Sequence, residues 1–354
     1  MKIAFLSMYS GLVDRGVETL THELAKRLAD SGNQVVVFQG GPSLKTNYEI
    51  EKVDLNVDWS KKGASGPSGV FNYWNRLILR FTLGTFPTLW KEKFDIIVPL
   101  NNSWQRLLVK IICLLRGSKM IISAQAGPGL EDRLNLYFFP DAFVAFTEYQ
   151  CNWARKINPL VKVVKIPNGV DLSVFKTQGE KLATKLKKPI VLSVAAFIKI
   201  KRLDLAIKAV AMLPGVSLML IGDGEEKERL QALGDKLLPG RFSIAKVPFK
   251  EISKVYRSAD IFTFPTSSWE SFGIVILEAM ATNLPVVASD DPIRREIVGD
   301  AGILVNPEDT DSYAKAIETA LKRNWGNIPR EQAEKFSWDE IAGQYEALFK
   351  ELVK

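Results

Sequence analysis

Cysteine and histidine are nearly absent from this chain, with two cysteines and one histidine in 354 residues. Cys113 and Cys151 lie far apart and form no CxxC, which leaves no evident metal site or disulfide framework and suits a reducing cytosol. His22 falls inside an amphipathic helical pattern beside Glu18 and Lys26, where it reads as a solvated residue. No uncharged apolar run reaches the roughly 18 residues that a bilayer crossing needs. The start, Met1–Ser7, is too short for a signal peptide and reads as a strand. A strand–glycine loop–helix order opens the chain. It carries no GxGxxG and no acidic residue placed for a ribose, which weighs against a dehydrogenase. Carboxylates are scarce between residues 61 and 120, where only Glu92 and Asp95 stand against Lys61, Lys62, Arg76, Arg80, Lys91, Lys93, Arg106, Lys110, Arg116 and Lys119. That excess accounts for the sign of the net charge of +7 and could face an anionic membrane, an anionic acceptor or water. The basic residues fall in no nucleic-acid-binding motif.

What is present is ordinary globular material, 47% hydrophobic and 25% charged, in a chain long enough for two domains. Lys2–Met8 and Gln34–Phe38 read as strands around a helix with a Val17, Leu20, Leu24, Leu28 stripe. Residues 70–90 mix aromatics, leucines and arginines. They suit either a helix lying on a membrane or, the favoured reading, a helix whose apolar side is core. Leu107, Leu108, Ile111 and Leu115 mark a further helix. Asn101, Asn102, Trp104, Gln105, Gln125 and Asp132 collect at strand ends, where open α/β sheets place ligands, and Asn102, Gln125 and Asp132 are taken as the acceptor side. Pro167-Asn168-Gly169 breaks helix and permits positive φ, which marks a crossing to a second domain. Asp309-Thr310-Asp311 spells DxD, but reads as the cap of the helix Ser312–Lys322 rather than a metal site.

The most informative stretch is residues 260–290. Ile261–Phe264 is a buried strand ended by Pro265, Ile274–Ala281 has a helical pattern, and Pro285–Ala288 is a second strand. Between them Glu270-Ser271-Phe272-Gly273 forms a turn that leads into a helix start, where free N–H groups and partial positive charge attract a phosphate. Two carboxylates, Glu270 and Glu278, flank that anion site. They are explained if each accepts hydrogen bonds from sugar hydroxyls while the turn holds a diphosphate, as in a nucleotide-sugar site.

These residues, with Glu278-Ala279-Met280-Ala281 and the exit Pro285-Val286-Val287-Ala288-Ser289, resemble the Glu-x7-Glu signature of family-4 retaining glycosyltransferases. The resemblance implies a GT-B fold: an α/β chain of two doubly wound Rossmann-like domains facing across a cleft. It implies an acceptor-side domain over residues 1–166, a donor domain over 167–330, and a helix over 331–354 packing back towards the first. It also implies transfer of a sugar from a nucleoside-diphosphate-sugar to a hydroxyl of a glycan, lipid or small molecule, with retention of configuration and no metal or other cofactor. Glu270 and Lys201 are the implied catalytic pair. Gly16, Arg202, Gly222, Asp223, Gly224, Ser271, Phe272, Gly273, Ile274 and Glu278 are the implied donor-binding residues. The chain departs from the family twice: Ala196 stands where an arginine is usual, with Lys199 or Arg202 as substitutes, and Gln125 is the nearest polar residue to the place of a cleft histidine. An imidazole base is therefore excluded there, and a nucleotide-sugar binding or scaffold protein that lost catalysis is the alternative. A nucleotide-sugar epimerase is a weaker one. The expected location is the cytoplasm, with a peripheral position on the membrane's inner face left open.

Overall fold

The structure, a computed structural model, describes residues 1–13, 16–42, 45–61, 72–101, 104–268 and 270–354. The chain divides into two compact units: unit 1 comprises Met1–Pro167 with Asp339–Lys354, and unit 2 comprises Asn168–Trp338.

Unit 1 runs β1 (Lys2–Ser7), α1 (Gly16–Asp30), β2 (Gln34–Gln39), β3 (Glu49–Lys52), α2 (Tyr73–Lys91), β4 (Ile96–Pro99), α3 (Trp104–Arg116), β5 (Lys119–Ser123), α4 (Leu130–Tyr137), β6 (Ala142–Ala145), α5 (Glu148–Ile157) and β7 (Val163–Lys165). Its strands form a 7-stranded sheet in the order β3-β2-β1-β4-β5-β6-β7, and every pairing is parallel. Parallel strands buried on both faces carry continuous apolar runs, as in Ile3–Leu6 and Ile121–Ile122. Helices α2, α3, α4 and α5 share one core with the sheet through Phe81, Ile112, Leu136 and Cys151. Reversal of strand order at β1 sends α1 to the opposite face, where Leu20, Leu24 and Leu28 are buried.

Two readings are decided here. The apolar side of α2, Leu77, Ile78, Phe81 and Leu89, is core, so residues 73–91 do not form a helix laid on a membrane by that side; residues 70 and 71 lie outside the described residues. In α3 the buried positions are Gln105, Arg106, Val109, Ile112 and Cys113, whereas Leu107, Ile111 and Leu115, which mark the helix in sequence, face outward. The helix is apolar nearly all round, so its period reveals a helix without revealing which side the sheet covers.

Unit 2 runs β8 (Ile190–Val194), a 3-10 turn (Lys199–Lys201), α6 (Leu203–Ala211), β9 (Ser217–Ile221), α7 (Lys227–Leu237), β10 (Phe242–Ala245), α8 (Phe249–Ser258), β11 (Ile261–Phe264), α9 (Ile274–Ala281), β12 (Val286–Ser289), α10 (Pro292–Val298), β13 (Gly302–Val305), α11 (Thr310–Lys322) and α12 (Ile328–Glu334). Its parallel 6-stranded sheet has the order β10-β9-β8-β11-β12-β13. The last helix, α13 (Trp338–Val353), belongs to unit 1 after its first residue. There Arg27 pairs with Asp339 at 2.5 Å, and Asn33 donates to Glu346 at 2.9 Å. Both units are Rossmann-like, and both reverse strand order beside their first strand. Such a switch point leaves a crevice outside the carboxyl ends of the strands.

Candidate functional site

In unit 2 the switch point lies between β8 and β11, and the loops that follow these strands carry Lys201 and Glu270. The Lys201 ammonium forms a short ion pair with Glu270 Oε2, and it sits 5.4 Å from the centre of the Phe264 ring. Both side chains are largely buried, 14% and 20% exposed. Water screens such a pair little.

The loop that presents Glu270 is held through its carbonyl oxygens. Arg202 donates from Nε to Pro265 O (3.0 Å) and from Nη2 to Thr266 O (3.1 Å), and Ser289 Oγ donates to Thr266 O (2.6 Å). Arg294 is wholly buried and donates to Glu270 O at 2.8 Å, while its Nε donates to Asp291 at 2.7 Å. Ser267 N donates to Ile200 O at 3.0 Å, which stitches this loop to the turn that carries Lys201. Arg202 itself stands at φ 48, a left-handed conformation unfavourable for a side-chain-bearing residue. Its bonds to the loop, and a further one to Glu308 at 2.6 Å, offset that cost. The donor-phosphate role read for Arg202 from sequence must therefore compete with this internal arrangement.

Helix α9 begins at Ile274 behind Gly273, which has φ 89 and whose added Cβ would meet the Phe264 ring at 3.0 Å, so glycine is required on both counts. Gly273, the N-cap residue of α9, has no side chain with which to cap it. The Phe272 side chain is buried and packs edge-on to Phe336 at 6.4 Å between centroids. Ser271 lies in the same turn, half-buried.

Glu278 projects from α9 into a buried setting, 7% exposed. Tyr256 Oη donates to its Oε2 at 2.6 Å. Burial pushes the Glu278 carboxyl up to about 7, against the Tyr256 bond, which favours the charged form. Tyr256 is packed in turn against Phe175 and Phe262.

Gly222, Asp223 and Gly224 follow β9. A Cβ on Gly222 would stand 1.9 Å from Ala195 O, and one on Gly224 would stand 2.5 Å from Phe197 O. This loop lies directly on the one that follows β8, joined by Phe197 N to Asp223 O (2.8 Å). Asp223 accepts from Gly224 N at 3.0 Å and from Lys246 at 3.2 Å, and the lysine holds its carboxyl below the usual range. Ala196 is exposed at the crest of the β8 loop and Lys199 is exposed beside it.

In unit 1, Met8 N donates to Asn101 Oδ1 at 2.8 Å, which joins the loops that follow β1 and β4 at the switch point. Gly16 is exposed at the first position of α1; Asn102 lies outside the described residues. Gln125 Nε2 donates to Ser123 Oγ at 3.0 Å. Asp132 is fully buried and accepts from Asn135 Nδ2 at 2.7 Å and from the backbone of Gly127. Burial raises its carboxyl to about 7, opposed by the nearby Arg106 charge. Asp132 Oδ2, Asn135 Oδ1 and Arg106 Nε are buried with no hydrogen-bond partner. His22 lies apart from this group, its Nδ1 2.6 Å from Tyr48 Oη. Among the described residues no group of three or more His, Cys, Asp or Glu is placed to hold a metal, and Asp309 caps α11 through Ser312 N. No helix among them is long and apolar enough to cross a membrane.

Sequence reasoning missed Arg294 and Tyr256, and it quoted Ser289 in the exit motif without giving it a role. The run Asp291-Pro292-Ile293-Arg294 did carry a signal: a helix cap, a proline at the first turn and an arginine three residues after the aspartate.

Comparison with known proteins bears on this arrangement. The family described as "Glycosyltransferase Family 4" matches residues 15–174, and "Glycosyl transferases group 1" matches 174–337. A phosphatidyl-myo-inositol mannosyltransferase of Mycolicibacterium smegmatis is 35% identical over 144 residues, 39% of this chain and 37% of that protein. The sulfoquinovosyl transferase SQD2 of Arabidopsis thaliana is 34% identical over 162 residues, 43% of this chain and 31% of that one. The matched stretches thus span only about a third of these relatives. In fold, sucrose-phosphate synthase from Thermosynechococcus elongatus superposes with a TM-score of 0.81 at 20% identity, over 99% of this chain and 98% of that one. Anabaena HepE in complex with UDP and glucose superposes with a TM-score of 0.76 at 18% identity, over 99% of each chain. Two family matches that together run from residue 15 to residue 337, on two Rossmann-like sheets, show that the chain belongs to the group 1 glycosyltransferases of GT-B fold.

Proposed function

We propose that this protein transfers a sugar from a nucleoside-diphosphate-sugar to an acceptor hydroxyl with retention of anomeric configuration. The observation that carries the reading is the Lys201–Glu270 pair at the unit 2 switch point, in the loops that lead to Gly273 and the start of α9. A carboxylate next to a phosphate site is repulsive unless a cation is shared between them. Lys201 is that cation, and it lets Glu270 accept hydrogen bonds from donor sugar hydroxyls while the diphosphate lies against Gly273 and Ile274. As the glycosidic bond breaks, positive charge grows on the sugar ring and negative charge on the departing diphosphate. Lys201 and the helix-start N–H groups are fixed in advance where the negative charge appears. Glu278 grips the ribose diol, and Gly222–Gly224 line the nucleoside. The chain's one histidine, His22, is engaged with Tyr48 in unit 1, and the leaving phosphate oxygen is assigned the acceptor proton. Binding of UDP and glucose by HepE supports a nucleotide-sugar donor. The acceptor is assigned to unit 1 around Gln125 and Asp132.

The second reading, a nucleotide-sugar binder without turnover, is favoured by one observation: exposed Ala196 brings no cation to the diphosphate, which leaves exposed Lys199 to serve. A thermal-shift panel of UDP, GDP and ADP tests the donor side, because a bound product raises Tm by mass action. Mass spectrometry of donor hydrolysis and transfer then separates the readings. A rise in Tm without turnover leaves the binder, and no rise with any of the three overturns both.

A further inference from the structure

We infer that Arg202 is a positioning residue for the Lys201–Glu270 pair: its guanidinium fixes the loop after β11 against the turn that follows β8, instead of holding donor phosphate. This role deepens the donor reading above and rests on it for any effect on ligand binding. On local grounds arginine suits the position badly, twice over. The residue closes the 3-10 turn Lys199–Lys201 and is also the N-cap of α6, with φ 48 and ψ 39. Glycine takes that left-handed conformation freely, whereas a Cβ is crowded there. An N-cap side chain also needs an oxygen to accept the free N–H groups of the helix start, and a guanidinium has only donors. A residue that stands against both preferences marks a place where its side chain is used for something else.

The bonds show that use. Each of the three guanidinium nitrogens donates: Nε to Pro265 O at 3.0 Å, Nη2 to Thr266 O at 3.1 Å and Nη1 to Glu308 Oε1 at 2.6 Å. Pro265 and Thr266 are buried, so a carbonyl that loses its donor there has little water to replace it. Two further bonds run between the same segments, from Ser267 N (3.0 Å) and Thr266 Oγ1 (3.2 Å) to Ile200 O. Lys201 directly precedes Arg202, and Glu270 N donates to Ser267 O at 3.2 Å. The arginine fork therefore joins the two backbone segments that carry the ion pair. A planar guanidinium fixes both direction and distance, where an ammonium acts as a point charge. With its nitrogens turned on two carbonyls and a carboxylate, Arg202 contributes geometry, and Lys201 contributes the charge.

Two variants of the full chain test this. Arg202→Gly keeps the turn at its left-handed φ and removes only the side chain, and Arg202→Lys keeps the charge without the fork. In hydrogen exchange without ligand, the amides of Ser267 and Glu270 are expected to exchange about tenfold faster or more in both variants. Unchanged exchange overturns the clamp. An equal acceleration at Leu192 of β8 would make Arg202 a general stabiliser and overturns its positioning role. Calorimetry with UDP, GDP and ADP follows. Both variants are expected to weaken whichever of these binds by roughly fivefold or more, but by less than about twofold once Lys201→Ala is present, because the fork acts through Lys201. No loss in the wild-type background, equal losses in both backgrounds, or wild-type affinity restored by lysine overturns the positioning role; the last two place Arg202 on the phosphate itself. Failure of wild type to bind any of the three overturns the donor reading, and the exchange measurement still decides the clamp.

Discussion

The strand ends of unit 1 and of unit 2 are built differently. In unit 2 the loops after β8 and β9 are laid on one another through glycines that admit no Cβ, Ser267 N bonds the loop after β11 to the one after β8, and two arginines and a serine hold the carbonyls of residues 265, 266 and 270. In unit 1 the residues behind the strand ends leave buried polar atoms of Arg106, Asp132 and Asn135 unpaired. Unit 2 also leaves buried atoms unpaired, but around its strand ends they are the hydroxyls of Ser193 and Ser267, which cost less to bury alone than the charged groups of unit 1. The contrast fits the proposal that unit 2 holds the donor diphosphate and unit 1 the acceptor.

The hardest blow to this contrast comes from Arg294→Ala. It removes a buried cation, leaves Asp291 without its partner and frees the Glu270 carbonyl, so a loss of about 3–5 kcal/mol in urea unfolding is expected, together with loss of transfer. An unchanged midpoint would mean that the carbonyl clamp is not what stiffens unit 2. Next comes Glu270→Ala, expected to retain the fold and lose about 1.5–3 kcal/mol of interaction, ten- to a hundredfold or more in transfer rate. Wild-type rates would remove Glu270 from the mechanism. Lys201→Ala in parallel should weaken nucleoside-diphosphate binding by calorimetry, and unchanged affinity refutes its role.

A subtler test uses pH. The Glu278 carboxyl lies at about 7 in the folded protein against an ordinary 4.5, so between those values the folded state holds the extra proton. Its contribution to stability is full below about 4.5 and is lost as pH rises through about 7. Glu278→Gln should therefore flatten the fall of Tm over that window by a few degrees. If the carboxylate grips a ribose diol, wild-type affinity for a nucleoside diphosphate rises as pH passes 7, and the variant loses that rise. A parallel pH profile in wild type and variant would detach Glu278 from the nucleoside. The smallest effect is expected in unit 1: Asp132→Asn, at a carboxyl already raised to about 7, should shift acceptor KM about two- to fivefold and leave donor KM unchanged. A larger loss of donor binding than of acceptor binding would reverse the assignment of the two units.

Local elements were legible because their causes are local. Ile261–Phe264 and Ile274–Ala281 occupy the residues that their apolar runs mark, and Asp309 caps α11 because its carboxylate reaches an N–H three residues on. What the pattern withheld was long-range. Tyr256 is 22 residues from the glutamate it bonds, and Arg294 is 24 residues from the carbonyl it holds. Sheet order brings these partners together, and periodicity carries no sheet order. The outward face of α3 was hidden for a related reason: leucines and isoleucines occur on both its sides, and only the packed sheet distinguishes them.

Unit 1 is discontinuous in sequence, since Asp339–Lys354 complete it after the whole of unit 2 has intervened. During synthesis the second unit therefore has all its residues while the first still lacks Ile341, Tyr345 and Phe349, side chains that end up buried. The earlier-made half must wait, with part of its apolar surface uncovered, until residues 339–354 have left the ribosome. Ribosome-bound chains halted near residue 338 are accordingly the species that should depend most on a chaperone.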